Sequence, residues 1–478
     1  MQRLNGVDSA FLSLETPTMH MHIVGVILLD PSSLPDGYSF EGLKRLIITR
    51  LHRMPPFYRK VRLVPLGIEH PYWVNDPNFD IDNHVRRATI PAPGGNSELG
   101  KLVGEIASKK LNRDRPLWEI TVVEGLEGGN VALITKMHHA AADGMASGYL
   151  MLQLLDMSPE IPEFSEEPFI CPEEDDPSDL EIFAQAWRDR LRNPSRIVEQ
   201  VKRTAERAKD IVAQVLLKGT ENFAPTMPFN APKTMFNRAI SPERIAAFGT
   251  APLSEFRYIR KVFGCTVNDV VIAVCTGALR RYLEQNNDLP NRALMASCPV
   301  SIRTPEQTAD CGNRVSTLFV GMPVQIEDPV ERLRAIMGDT KDAKTLHNAM
   351  GAEMLQDWAE LAAPYAFTYA ARMYTRMKLA DRHAPIHNLI VSNVPGPPFD
   401  LYCLGARVVQ FFPLGPVLEG AGLNVTVVSR AKSMDIGIMA CPLAAPNPEL
   451  IAKHFAAATR ELREVAEAYE RDQQAASV

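Results

Sequence analysis

A strand-length apolar run over residues 131–137 ends on His138-His139, followed by Ala140-Ala141-Ala142, then Asp143-Gly144, then a helical pattern over 145–155. An unperturbed imidazole titrates near ~6.5 and is the side chain best suited to take a proton at neutral pH and hand it back. The chemistry this suits is acyl transfer, in which an alcohol loses a proton and a departing thiolate later gains one. The small residues leave room for a substrate to reach the ring, and a strand behind with a turn ahead is a rigid mount for a base.

Adjacent residues on a strand point to opposite faces. One histidine can therefore face a reaction cavity while the other faces the core. The same geometry argues against a shared metal, and no HExxH or histidine–cysteine cluster accompanies the pair, so no metal is expected. A GxSxG elbow is absent, which disfavours a seryl acyl-enzyme. Asp143 reads as a structural carboxylate that a buried site would pair with a cation. The competing reading of the histidine pair is packing or capping alone.

The rest of the chain must position this motif. It has 478 residues, 46% hydrophobic and 23% charged, enough for a sizeable core, and a formal net charge of −6 that gives no electrostatic footprint for nucleic acid. Seven scattered cysteines without a CxxC pair suggest a reducing compartment rather than a disulfide framework. The first residues lack an apolar signal core, and no window approaches the ~18–20 apolar residues of a membrane span, so contact with lipid is expected from the surface.

The periodicity predicts strands over 23–29, 57–64, 118–123 and 131–137 and helices over 40–51 and 99–111 in a first α/β half, 1–157. A linker rich in proline and acid leads into a helical stretch over 182–218 with a basic face, together forming a crossover, 158–235. The second half, 236–478, alternates again, with helices over 253–264, 267–285, 328–348, 364–379 and 447–471. Its strands are predicted over 293–302, 315–324, 388–393, 423–429 and 434–440. The expectation is two α/β halves joined by a charged crossover. The basic helical stretch either lies on an anionic membrane or packs across the two halves.

Further segments narrow the reading. They are Asp8-Ser9-Ala10-Phe11-Leu12, Met21-His22, Pro71-Tyr72-Trp73-Val74, Arg115-Pro116-Leu117-Trp118-Glu119, Asn268-Asp269-Val270-Val271, Pro299-Val300-Ser301-Ile302-Arg303, Gly312-Asn313-Arg314 and Ser392-Asn393-Val394-Pro395-Gly396-Pro397. With HHxxxDG, in this order, the chain resembles the bacterial wax ester synthase/diacylglycerol acyltransferase family, within the coenzyme A-dependent acyltransferase superfamily, over nearly its whole length apart from 158–235.

The resemblance implies two chloramphenicol-acetyltransferase-like domains with an active-site channel between them. It implies His139 as general base, His138 and Gly144 as supporting residues, and Asp143 held structurally with Arg303 as its cation. It implies Asn268 as a residue that polarises the thioester carbonyl or places the acceptor, with Asp269 beside it; the alternative for Asn268 is a helix cap. Asn393, Pro395 and Gly396 would border the channel. Acyl-CoA is the implied co-substrate, with no permanently bound cofactor. The implied acceptor is diacylglycerol or a fatty alcohol, taken from the inner membrane face or a lipid droplet by a cytoplasmic, peripherally bound enzyme. A polyketide or glycolipid hydroxyl, or an inactive lipid-binding scaffold, are the other readings.

Overall fold

The computed structural model describes residues 1–35, 37–141, 153–164, 169–174, 178–192, 230–302, 313, 315–350, 360 and 364–476. The first sheet is built on β2 (His22–Asp30), β5 (Val85–Thr89), β6 (Trp118–Glu124) and β7 (Val131–His138). The second contains β8 (Ile245–Pro252), β9 (Leu294–Ser301), β10 (Val315–Met322), β11 (Leu389–Pro395), β14 (Leu423–Arg430) and β15 (Ser433–Ala440), in the order β10-β9-β11-β14-β15-β8. Within it β11 runs parallel to both β9 and β14, and the other pairs are antiparallel.

The chain does not keep its two halves contiguous. The strands β12 (Tyr402–Cys403) and β13 (Ala406–Leu414) leave the second half and complete the first sheet, giving β12-β13-β2-β7-β6-β5. Two strands of the segment 236–478 thus lie in the first sheet. Because β13 pairs with β2 while its ends connect to β11 and β14, it stitches the sheets together. At that seam, a Cβ on Gly437 would come within 2.0 Å of the Pro413 carbonyl oxygen, so only glycine permits the approach.

A small third sheet, β1 (Gln2–Arg3), β4 (Tyr72–Asn75) and β3 (Arg59–Arg62), sits at the edge. The strand predicted over 57–64 is shorter because a 3-10 turn at Pro55–Phe57 and another at Pro65–Gly67 bracket it.

Helices cover the sheets where their apolar stripes demand it. In α2 (Phe40–Arg50) Leu43, Leu46 and Ile47 are buried with Ile27, Leu29 and Val122. α3 (Asn96–Ala107) buries Leu99 and Val103, and its Gly100 and Gly104 lie so close to the second half that a Cβ on either would meet a carbonyl oxygen of Ala246 or Arg244 at 2.4 Å.

On the second sheet lie α5 (Leu253–Phe263), α6 (Val267–Gln285) and α9 (Pro448–Ala476), packed in one core through Phe256, Val271, Leu279, Ile451 and Phe455. α7 (Pro329–Met350) flanks β10, and α8 (Pro364–Arg376) lies beside α1 (Gly6–Leu14).

Of the crossover, α4 (Asp179–Arg192) is described; Ile182 and Ala186 pack against Val64, Tyr72 and Val74 of the first half rather than across both halves. The remainder of the basic stretch to 218 and the helix predicted over 145–155 fall almost wholly outside the described residues. Among the described residues no single helix is long and apolar enough to cross a membrane.

Candidate active site

The end of β7 separates the two histidines by face. His138 is fully buried, while His139 is half-buried and lines a cavity of about 680 Å³ between the sheets. Met21 and Phe11 from the first half, Thr317 and Thr426 from the second, and Phe411 from β13 also line it. The opposite orientations mean the pair does not chelate a common ion.

His139 is gripped at several atoms. Its backbone N–H donates to the Met21 carbonyl (2.8 Å), with Met21 held at φ +52°. Asn313 spans the residue: its Nδ2 donates to the His139 carbonyl at 2.7 Å, and its Oδ1 lies 3.0 Å from His139 Nδ1. The same Nδ2 donates to Asp8 Oδ1 at 2.6 Å, and the Asn313 backbone N–H donates to that oxygen at 2.9 Å.

Both Nδ2 partners are acceptors only, so the amide orientation is fixed and Oδ1 must accept. His139 Nδ1 therefore carries the hydrogen, and in the neutral ring Nε2 carries the lone pair. Phe11 stacks on the imidazole with centroids 4.0 Å apart and sets the ring plane.

Asp8 and Phe11 share one face of α1, as residues three apart do. Asn5 caps that helix by accepting from the Asp8 backbone N–H at 2.7 Å.

His138 is wired in the opposite sense. Its Nδ1 accepts from the Ala140 backbone N–H at 3.0 Å, leaving the hydrogen on Nε2, which faces Glu15 Oε2 at 3.3 Å. Burial lowers the His138 pKa below its ordinary value, with Glu15 pulling the other way. Burial would raise the Glu15 carboxyl, but His138 and Arg113 outweigh it and hold the pKa well below the usual range. Glu15 is paired with Arg113 at 2.8 Å and with Lys110 at 3.1 Å.

Across the cavity, Asn268 opens α6. It does not cap the helix. Thr266 does, accepting from the Asp269 backbone N–H at 3.1 Å while Asp269 Oδ2 accepts from the Thr266 backbone N–H at 2.9 Å. Asp269 Oδ1 also accepts from Thr340 at 2.8 Å, pinning the helix start to α7. Freed from capping, Asn268 lines the cavity, and its Oδ1 accepts from Asn393 Nδ2 at 3.3 Å.

Asn393 and Pro395 line the cavity. Gly396 is not among the lining residues; a Cβ there would sit 2.3 Å from the Ser429 carbonyl oxygen, so its part is a close backbone approach beside the wall.

Trp118 is buried, donates from Nε1 to the Phe57 carbonyl at 2.8 Å and stacks on His84, a packing role that also closes the cavity wall. Asp143, Gly144 and Arg303 lie outside the described residues. Sequence reasoning assigned no role to Asp8, Phe11, Glu15 or Asn313; only their presence in or near the ordered motif pieces marked three of them.

A model of the wax ester synthase/diacylglycerol acyltransferase catalytic domain matches residues 4–271, and a model of the WS/DGAT C-terminal domain matches 311–463. The chain belongs to the wax ester synthase/diacylglycerol acyltransferase family. It is an acyltransferase of that family, and a Mycobacterium tuberculosis relative carrying the provisional name diacylglycerol O-acyltransferase is 36% identical over 97% of this chain and 90% of its own length. A second of the same provisional name, also from Mycobacterium tuberculosis, is 35% identical over 98% of each chain.

The solved wax ester synthase/diacylglycerol acyltransferase from Marinobacter aquaeolei VT8 superposes with a TM-score of 0.70 at 25% identity, covering 98% of this chain and all (100%) of that one. The starter condensation domain of rhizomide synthetase, solved as a mutant with C8-CoA and Leu-SNAC, has a TM-score of 0.57 at 12% identity over 98% of this chain and 94% of its own, a likeness of fold.

Proposed function

We propose that this enzyme transfers a long-chain acyl group from acyl-CoA to the hydroxyl of diacylglycerol, with His139 as general base. The observation that carries the reading is the asparagine clamp, which commits His139 Nδ1 to Asn313 while the residue lines an inter-sheet cavity.

Nε2 takes the proton as the alcohol oxygen attacks the thioester carbonyl. The resulting imidazolium is held by Asn313 Oδ1, with the Asp8 carboxylate behind it. Since Asn393 occupies Asn268 Oδ1, the Asn268 Nδ2 group is the donor turned to the developing oxyanion, a contribution of roughly 3 kcal/mol. Collapse breaks the carbon–sulfur bond, and the coenzyme A thiolate takes the proton from Nε2. Asp143 has a structural rather than a proton-transferring role in this reading.

The relatives' names favour diacylglycerol over a fatty alcohol. A lipid surface supplies the acceptor. Leu66 (77% exposed) adjoins Gly67, which lies against Tyr365 (67%), and Tyr369 (61%) follows one turn along α8, an apolar and aromatic patch of the kind that enters a membrane interface. The setting is the cytoplasmic face of a membrane or droplet.

The test is coenzyme A release from palmitoyl-CoA by the full chain, with diacylglycerol, hexadecanol, a glycolipid alcohol or no acceptor. Release dependent on diacylglycerol supports the reading; release only with another alcohol reassigns the acceptor, and no release with any of them overturns acyl transfer from coenzyme A.

A further inference from the structure

A second cavity of about 510 Å³ adjoins the first. Asn393 and Pro395 line both, so the two meet at the end of β11. Its other walls include Arg257 and Arg260 of α5, Val267 at the start of α6, and Ser429 of β14.

The two faces of α5 are used differently. Glu255 is paired with Arg463 of α9 at 3.1 Å, and Tyr258 donates to Glu470 of the same helix at 2.6 Å. Arg257 and Arg260, one turn apart and both exposed, form no ion pair among the described residues. Two guanidiniums without an ion pair among the described residues, around a cavity that shares Asn393 and Pro395 with the reaction site, make an anion-binding vestibule.

The donor has a matching form. A coenzyme A thioester carries its charge at one end, as a pyrophosphate and a ribose phosphate, and its reacting carbon at the other. Neutral lipid alcohols have no charge to place there.

We propose that the pocket framed by Arg257 and Arg260 holds the phosphate-bearing end of the acyl-CoA donor, whose pantetheine arm passes Asn393 to bring the thioester to His139. This rests on the acyl-CoA reading above. It divides the enzyme into a charged entrance for the donor and an uncharged one elsewhere for the acceptor.

The experiment compares palmitoyl-CoA with palmitoyl-pantetheine, which keeps the thioester and the arm but lacks every phosphate. Transfer to diacylglycerol is measured for the wild type, R257A/R260A and R257K/R260K. The wild type is expected to favour palmitoyl-CoA in kcat/KM. R257A/R260A should lose about ten- to hundredfold of that preference, through a higher KM for palmitoyl-CoA, and the lysine pair should restore part of it.

Adenosine 3′,5′-bisphosphate should inhibit the wild type competitively against palmitoyl-CoA and inhibit R257A/R260A far less. An equal loss with both donors, or an unchanged preference, would overturn the site while wild-type turnover kept the acyl-CoA reading intact. A wild type that used neither donor would instead remove the reading on which the site rests.

Discussion

Residues 138 and 139 are neighbours on one strand, and the regions on its two sides treat the same side chain in opposite ways. Behind the strand, a backbone N–H claims Nδ1 of His138, and its Nε2–H faces an ionised glutamate in a sealed pocket. In front, a neutral amide claims Nδ1 of His139, whose residue lines an open cavity. The contrast teaches that a histidine pair is assigned by which ring nitrogen its surroundings occupy, and that each tautomer here is set by one acceptor or donor that has no alternative role.

The strongest way to break the contrast is to delete the front ring. His139→Ala should lower acyl transfer by at least about 10³-fold while thermal unfolding stays within a degree or two of wild type, measured by coenzyme A release and differential scanning calorimetry. A rate within tenfold of wild type would remove His139 from the chemistry.

Freeing the tautomer is the next test. Asn313→Ala should reduce kcat by about 10²-fold, with a smaller change in KM, because Nδ1 loses its acceptor and the ring its orientation. An equal loss in a variant whose cavity is narrowed but whose clamp is intact, such as Thr317→Leu, would refute the tautomer explanation.

The rear pocket is sharpened by Glu15→Gln. Removing the carboxylate strands Arg113 and Lys110, both partly exposed, beside His138. A fully buried pair broken this way costs about 3–5 kcal/mol, and the exposure of the cations brings the expected loss to about 2 kcal/mol of stability by urea denaturation. The kcat of the protein that remains folded should change far less than in Asn313→Ala.

The smallest effect is in the pH profile. Burial lowers the pKa of His138 and His22, and of His387 to about 4, so these rings stay neutral in the folded chain where the unfolded chain already binds protons. Stability should therefore be flat above pH ~6.5 and fall as the pH drops from there toward 4. The depressed Glu15 adds to the decline below pH ~4.5, since its contribution is complete above the unfolded carboxyl pKa and lost as the folded group protonates. A melting temperature constant from pH 7 to 4.5 would contradict the neutral assignment.

Much of this was legible in the residues. Runs such as 23–29 and 423–429 are apolar enough to be read as buried strands, and the strand–His-His–turn arrangement pointed to one ring in a cavity and one in the core. Six strands were not legible: β1, β4, β5, β8, β12 and β13. The segment at 245–252, Ile-Ala-Ala-Phe-Gly-Thr-Ala-Pro, has little β-branching, and that at 406–414 follows a proline-rich turn and joins the opposite sheet, a pairing that no local pattern encodes.

Asn268 looked like a cap because asparagine favours that position, yet Thr266 and Asp269 already formed a threonine-first capping box in the sequence. Asp8 and Asn313 carried no sign of partnership, being 305 residues apart.

That separation has a consequence for biosynthesis. A chain emerging from the ribosome holds its imidazole after 139 residues, but the amide that selects the tautomer arrives only at 313, and the strand that closes the first sheet only at 406–414. Fragments ending before these points should be inert toward thioesters, so partial products of translation or proteolysis leave the cell's activated fatty acids untouched.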